Sequence, residues 1–193
     1  MVPGILAVLL TMVGGFLSAL NIVREKEIGT IEQINVSPIK KHEFVLGKLF
    51  PFWVLGFVIL TIGLFISYVV HGITPGPNAA VLYLFSAIYL FAILGFGLLI
   101  SNFTSTQQQA MMVAFFFMLI FILLSGLYTQ IESMPDWAQT LAWINPVTYM
   151  VEVMRMVLLK GAGLNEIWPH LKSIAIGGLI LNGLAVWSYR KRS

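Results

Sequence analysis

LFPFWVLGFVILTIGLFISYVVHGITPGPNAAVLYLFSAIYLFAILGFGLLISNFTSTQQQAMMVAFFFMLIFILLSGLYTQI, residues 49–131, contains no Asp, Glu, Lys or Arg. The run fills the 83 positions between Lys48 and Glu132. No water-facing surface can be built from so long a neutral and mostly apolar stretch, so the chain is an integral membrane protein. A second charge-free run covers Met1 to Val23. Over all 193 residues only 10% are charged and 59% are hydrophobic, where a soluble domain carries roughly a quarter charged residues. Soluble enzymes and disordered chains are both excluded.

Turn signals divide the long run. His71-Gly72-Ile73-Thr74-Pro75-Gly76-Pro77-Asn78 holds two prolines and two glycines and reads as a loop. Ser101-Asn102-Phe103-Thr104-Ser105-Thr106-Gln107-Gln108-Gln109 is polar and uncharged and makes a second break. The pieces between have the length of about 20 residues that a helix needs to cross the hydrocarbon core. Five spans follow: Pro3–Val23, Leu49–Val70, Ala79–Ile100, Ala110–Thr129 and Leu171–Tyr189. The last holds Lys172 near one end, where it can snorkel, and Asn182 inside. Barrel strands would alternate over about ten residues; these runs are uniformly apolar and longer, so the expected fold is an all-α membrane domain over residues 1–193.

Basic residues set the expected orientation. Arg24, Lys26, Lys40, Lys41, Lys48, Arg190, Lys191 and Arg192 fall on one side, and Arg155, Lys160 and Lys172 on the other. The richer side is the cytoplasm by the positive-inside rule. The N-terminus is then outside and the C-terminus inside. Met1–Val23 lacks a basic leader and reads as a retained span rather than a signal peptide. The net charge of +3 is accounted for by this placement, and no nucleic-acid partner is expected.

Residues 133–160 are too broken to cross. Ser133-Met134-Pro135-Asp136 reads as a helix start with Ser133 as cap, leading to a short helix ending near Ala142. Asn145-Pro146 is a second start, with Pro146 at the first helical position, and Val147–Lys160 follows. That length suits an interfacial or re-entrant helix. Trp137, Trp143, Tyr149 and Trp168 fit an aromatic belt. An outer helical hairpin is expected, with Asn145, Pro146, Tyr149, Glu152 and Arg155 as gate candidates. Glu152 and Arg155 are three apart and are expected to form an ion pair on one face.

The segment REKEIGTIEQINVSPIKKHEFVLGK, residues 24–48, joins the first two spans. Arg24-Glu25-Lys26-Glu27 extends the first helix, and Gly29 interrupts it. Thr30 and Gln33 have capping-box spacing. Ile28, Ile31 and Ile34 give the new turn an apolar edge, and Ser37-Pro38 starts a third piece. A stiff amphipathic elbow at the membrane surface is the result, suited to contact with a second protein.

The string Arg-Glu-Lys-Glu-x-Gly-Thr-x-Glu-Gln, followed by Ser-Pro, Glu43 and Gly47-Lys48, resembles the signature of type-2 ABC exporter permeases of the drug or polysaccharide type. The resemblance covers the elbow, the later spans, the Asn145-Pro146 helix and the basic tail. It implies a permease subunit of the prokaryotic plasma membrane that pairs, as a homodimer or with a paralogue, and docks its elbow into a separate ATP-binding subunit. Glu25, Lys26, Glu27, Gly29, Thr30, Glu32, Gln33 and Pro38 would serve that contact. ATP and magnesium would belong to the partner, and efflux of a hydrophobic or amphipathic substrate would be the outcome. Members of the family usually carry a further span and often a large extracellular domain before the equivalent of Met1, so a truncated or naturally short form is expected.

Other features give weaker pointers. Ala7, Thr11, Gly15 and Ala19 recur every four residues, a small-residue strip that lets a helix approach closely. It serves either packing within the chain or a dimer seam, and the resemblance implies that this helix lies near the seam. Asn21 and Asn182 are expected to be interhelical glue. Phe115-Phe116-Phe117 and Phe121 face lipid or line a path for an apolar substrate. His42, His71 and His170 are too scattered for a metal site, and cysteine is absent. There is no phosphate loop and no catalytic constellation, so the chain is expected to catalyse no reaction itself. The competing readings are an ion-coupled transporter or channel, which would carry ionisable residues within its spans, and a non-transporting fragment or assembly factor.

Overall fold

The computed structural model describes residues 2–29, 41–74 and 76–188. Among these residues there are eight α-helices and no strand. The first two, α1 (Val2–Thr11) and α2 (Ser18–Ile28), are joined by a π-helical stretch, Met12–Leu17. Then come α3 (Lys41–His71), α4 (Ala79–Phe103), α5 (Gln107–Leu124), α6 (Asp136–Ile144), α7 (Pro146–Lys160) and α8 (Leu164–Ser188). Five segments are long and apolar enough to cross a membrane: Val2–Ile28, Leu49–His71, Gly76–Phe103, Gln107–Leu124 and Leu164–Ser188. The expected all-helical, five-span architecture is what the chain adopts.

Several boundaries differ from the sequence reading. The polar break at Ser101–Gln109 shrinks to residues 104–106. Thr106 caps α5 by accepting the Gln109 N–H at 3.3 Å, while Gln109 Oε1 accepts the Ser105 N–H at 3.2 Å. This reciprocal cap turns a glutamine-rich stretch into a helix start. At its other end α5 stops at Leu124 rather than near Thr129, and Gly126 turns the chain with φ 75°. The last helix begins at Leu164, seven residues before the expected Leu171, and runs through Pro169. Residues 41–48, read as the end of the elbow, are the first turns of α3.

In hydrocarbon, helices gain little by hiding apolar side chains from lipid, so close packing and interhelical hydrogen bonds hold the bundle. Both converge on α4. In its span 72% of the most apolar stretch is buried, against 17% for the spans of α3 and α5 and 22% for that of α8. Phe85, Tyr89, Leu90 and Ile93 are fully buried there. The glycine at 97 shows why neighbours come so close: a Cβ there would stand 2.6 Å from the Gly15 carbonyl oxygen and would strike the Ser18 hydroxyl. Gly95 makes the same room for Asn182, and Gly178 for Ala92.

Polar ties then pin the first, second and last spans to α4. Thr11 on α1 pairs its hydroxyl with that of Tyr89. On α3, Trp53 Nε1 donates to Ala87 O at 3.0 Å, and the Thr61 and Tyr83 hydroxyls lie 2.8 Å apart. From α8, Asn182 Nδ2 donates to Phe91 O at 2.9 Å. In return Asn102 Nδ2 donates to Ala185 O at 2.7 Å. Each tie satisfies a polar group that lipid could not.

Replacement of Gly97 by alanine should therefore lower thermal stability in detergent, by about 1–3 kcal/mol as overpacking does. Gly183, whose added Cβ would meet nothing within 4 Å, serves as the control. Gly183→Ala should leave the melting temperature unchanged or raise it slightly.

Candidate functional site

The functional residues expected from sequence sit at the two ends of the bundle. At the elbow end, α2 stops at Gly29, which takes a left-handed φ of 82° and donates its N–H to Lys26 O at 3.2 Å. Lys26 points back across the turn between α4 and α5. Its Nζ donates to Ser101 O and lies 3.5 Å from Thr104 O. Glu27 accepts from the Gln107 side chain at 2.8 Å and from the Gln107 N–H at 3.3 Å. Glu25 lies half-buried on the same helix end. A cation thus sits on the last carbonyls of α4 and an anion on the first N–H of α5, each where the helix dipole favours it. The remaining elbow candidates, Thr30, Glu32, Gln33 and Pro38, lie outside the described residues, as do Ile31, Ile34, Ser37 and the basic tail.

At the opposite end α6 and α7 form the hairpin. Ser133 does not cap α6. Its hydroxyl donates to Gln130 O at 2.7 Å in a short 3₁₀ turn, and α6 begins one proline later, after Pro135, with no side-chain cap. Asn145 caps α7 by accepting the Val147 N–H at 3.0 Å, with Pro146 at the start of the helix. The same side chain donates to Phe121 O on α5 at 2.7 Å. Val147, Met150, Val151, Met154 and Val157 are buried in the same core as Leu6, Leu10, Leu82 and Phe85. Thus α7 is embedded in the bundle rather than lying along its edge.

Glu152 and Arg155 do not pair. Arg155 Nη2 donates to Gly126 O at 3.0 Å and lies 3.5 Å from Leu127 O, in the turn that ends α5. Glu152 faces His170 Nδ1 at 3.7 Å. Exposed carbonyls at a helix end compete well for a guanidinium, and they draw Arg155 away from its own helix. Tyr149 donates its hydroxyl to Trp143 O at 2.6 Å.

Between α4, α5, the hairpin and α8 lies a cleft of about 540 Å³, lined by residues that include Phe96, Phe121, Leu124, Trp143, Tyr149 and Ile180. Phe96 and Phe121 pack at a tilt, 5.0 Å between ring centres. Of the phenylalanines considered from sequence, Phe121 lines this cleft, whereas Phe115 and Phe116 are exposed on the outer face of α5. Among the described residues no group of three His, Asp or Glu side chains could hold a metal ion.

Residues 1–187 match the family described as ABC-2 family transporter protein. The chain belongs to the ABC-2 transporter family. It is 37% identical over 181 residues to the probable multidrug ABC transporter permease YbhR of Escherichia coli K12, covering 92% of this chain and 49% of that protein. To the inner membrane transport permease YhhJ of the same strain it is 31% identical over 195 residues, 97% of this chain and 51% of that protein. The linearmycin resistance permease protein LnrN of Bacillus subtilis is 26% identical over 182 residues, 94% of this chain and 45% of that protein. The chain thus spans about half the length of the curated relatives it matches. No solved structure matches it.

The small-residue strip of this family member is turned inward. Ala7, Thr11 and Ala19 are fully buried and Gly15 is buried within the single chain. A Cβ on Gly15 would stand 3.5 Å from Ile93 and from Met118. The strip's surface is therefore used up by packing inside the subunit. Asn182 is interhelical glue, as expected. Sequence reading missed the pairings of Lys26 with the α4–α5 turn and of Arg155 with Gly126. Each joins residues far apart in the chain, and the only local signal was for Lys26, a charge within the last turn of its helix.

Asn145 makes two separable bonds. Asn145→Ser keeps a capping oxygen but cannot reach Phe121, and Asn145→Ala loses both. Serine should destabilise less than alanine by about 1 kcal/mol, the worth of the cap. Thermal unfolding of both variants in the same detergent would check the order.

Proposed function

We propose that the chain is the membrane-spanning core of an ATP-driven exporter. In this reading a separate ATP-binding subunit docks on the elbow, residues 24–48, from the cytoplasm. Two copies, or one copy and a paralogue, complete the path. ATP binding closes the partner subunits, and the elbow passes that motion to the spans as a rigid body. The observation that carries the reading is the juxtaposition of family membership with the elbow root: the signature residues Lys26 and Glu27 are fastened to the turn between α4 and α5, two of the spans that border the cleft. A push on the elbow therefore has a polar connection into the bundle.

The cargo we infer is hydrophobic or amphipathic. Support comes from the apolar, aromatic-lined cleft, and from relatives whose names carry multidrug or linearmycin resistance. The distribution of basic residues supports an N-terminus outside and a C-terminus in the cytoplasm of an inner membrane. The three spans within residues 49–131 contain no Asp, Glu, Lys or Arg, which weighs against ion-coupled transport.

Two experiments test this. In nanodiscs with the cognate ATP-binding subunit, Glu32→Lys should abolish substrate-stimulated ATP hydrolysis while the complex remains folded. Efflux that continues in vesicles without nucleotide would overturn the reading. Ile180→Trp, which narrows the cleft from an exposed position, should reduce efflux of an apolar fluorescent dye several-fold without lowering basal hydrolysis. Unchanged efflux would remove the cleft from the transport path.

A further inference from the structure

The fourth span stands apart from the others. Residues 110–124, AMMVAFFFMLIFILL, hold no side chain able to form an ordinary hydrogen bond to another helix. Its buried side chains are Ala110, Ala114 and Met118, one narrow strip at four-residue spacing. The spans of α1–α2, α3 and α8 are each hydrogen-bonded to α4 within the bilayer; α5 is not. What holds α5 instead lies at its two ends. Glu27 takes the first N–H of the helix, and beyond its other end Arg155 takes the Gly126 carbonyl. Asn145 and Thr148 add Phe121 O at 2.7 Å and Leu124 O at 3.4 Å. Anion at the N-terminus and cation beyond the C-terminus both match the helix dipole.

We propose that α5 is a transmission strut: a rod gripped at one end by the elbow root and at the other by the hairpin, with a smooth shaft between. Glu27 and Arg155 are its positioning residues. The reading rests on the exporter function proposed above for its use, but not for its test. A rod of 18 residues carries displacement over about 27 Å at 1.5 Å per residue. Apolar packing along one narrow strip lets it slide or tilt without breaking buried hydrogen bonds. Motion delivered at Gly29 reaches the Asn145 cap and the Arg155 contact through this helix. The signature glutamate at 27 thereby acts within the chain, through Gln107.

Amide hydrogen exchange on the purified chain in nanodiscs, without any ATP-binding subunit, tests this directly. Glu27→Gln weakens the grip at Gln107. The expected result is roughly threefold to tenfold faster exchange at residues 105–110, the scale of a weakened charge-assisted hydrogen bond near the surface. The strut also requires faster exchange at residues 125–131, at the far end. Arg155→Ala should give the reciprocal pattern, since coupling between two sites is symmetric. The chain has no cysteine, so Glu27→Cys with Gln107→Cys can be cross-linked without side reactions, and that bridge should restore protection at both ends. If Glu27→Gln speeds exchange only at 105–110, or Arg155→Ala only at 125–131, α5 is not a strut. Should either variant loosen every span, the cross-linked pair decides: oxidation must protect residues 125–131 relative to the reduced pair, or the proposal fails. Because no partner is present, failure of the exporter reading leaves this result untouched.

Discussion

Lipid offers a buried donor or acceptor no water to fall back on, and this single constraint orders the bundle. Polar side chains inside a span are driven to find a carbonyl or hydroxyl of the protein. The first, second and last spans find theirs on one helix, α4. Tyr89 pairs with Thr11, Ala87 O receives Trp53, Phe91 O receives Asn182, and Asn102 reaches back to Ala185. Glycines at 95 and 97 let the partners approach to that range. Packing and hydrogen bonding thus agree on the same centre, which is the consistency a well-specified fold requires.

The class of the fold was readable because hydrocarbon imposes it on composition. A run of 83 neutral residues permits only membrane spans, and Gly-Pro clusters have to fall between them. Boundaries were less readable wherever polarity and helix formation part company. Gln107, Gln108 and Gln109 are polar yet helical, because Thr106 and Gln109 cap the start of α5 reciprocally. Leu164–Leu171 carries Glu166, Pro169 and His170 and is still the beginning of α8. Hydropathy alone cannot locate the end of a helix that continues past the hydrocarbon.

Of the candidate site, sequence named residues whose contacts within the chain it could not assign. Lys26 and Glu27 were singled out for docking a partner, and within the chain they reach Ser101, Thr104 and Gln107. The three-residue spacing of Glu152 and Arg155 suggested a pair, but helical spacing reports only proximity along one helix. Arg155 instead reaches the carbonyls of Gly126 and Leu127 beyond α5, while Glu152 faces His170. In the strip of Ala7, Thr11, Gly15 and Ala19, spacing revealed a close approach without revealing which helix approaches. A periodic pattern fixes a face; only the tertiary arrangement supplies what meets it.

Phe121 links the cleft to the ends of the bundle. Its ring lines the cleft and packs on Phe96, while its carbonyl holds the Asn145 amide. Any axial shift of α5 therefore moves a wall of the cleft and the cap of α7 together. Leu124 repeats this coupling one turn on, with its side chain in the cleft and its carbonyl facing Thr148. On the opposite wall, Ile174 and Leu181 belong to α8, which Asn182 and Asn102 tie to α4. One wall is hydrogen-bonded to the centre of the bundle, and the other belongs to a helix whose hydrogen bonds to its neighbours lie toward its two ends. On the strut proposed above, movement of that helix at the elbow would alter the space available to an apolar guest.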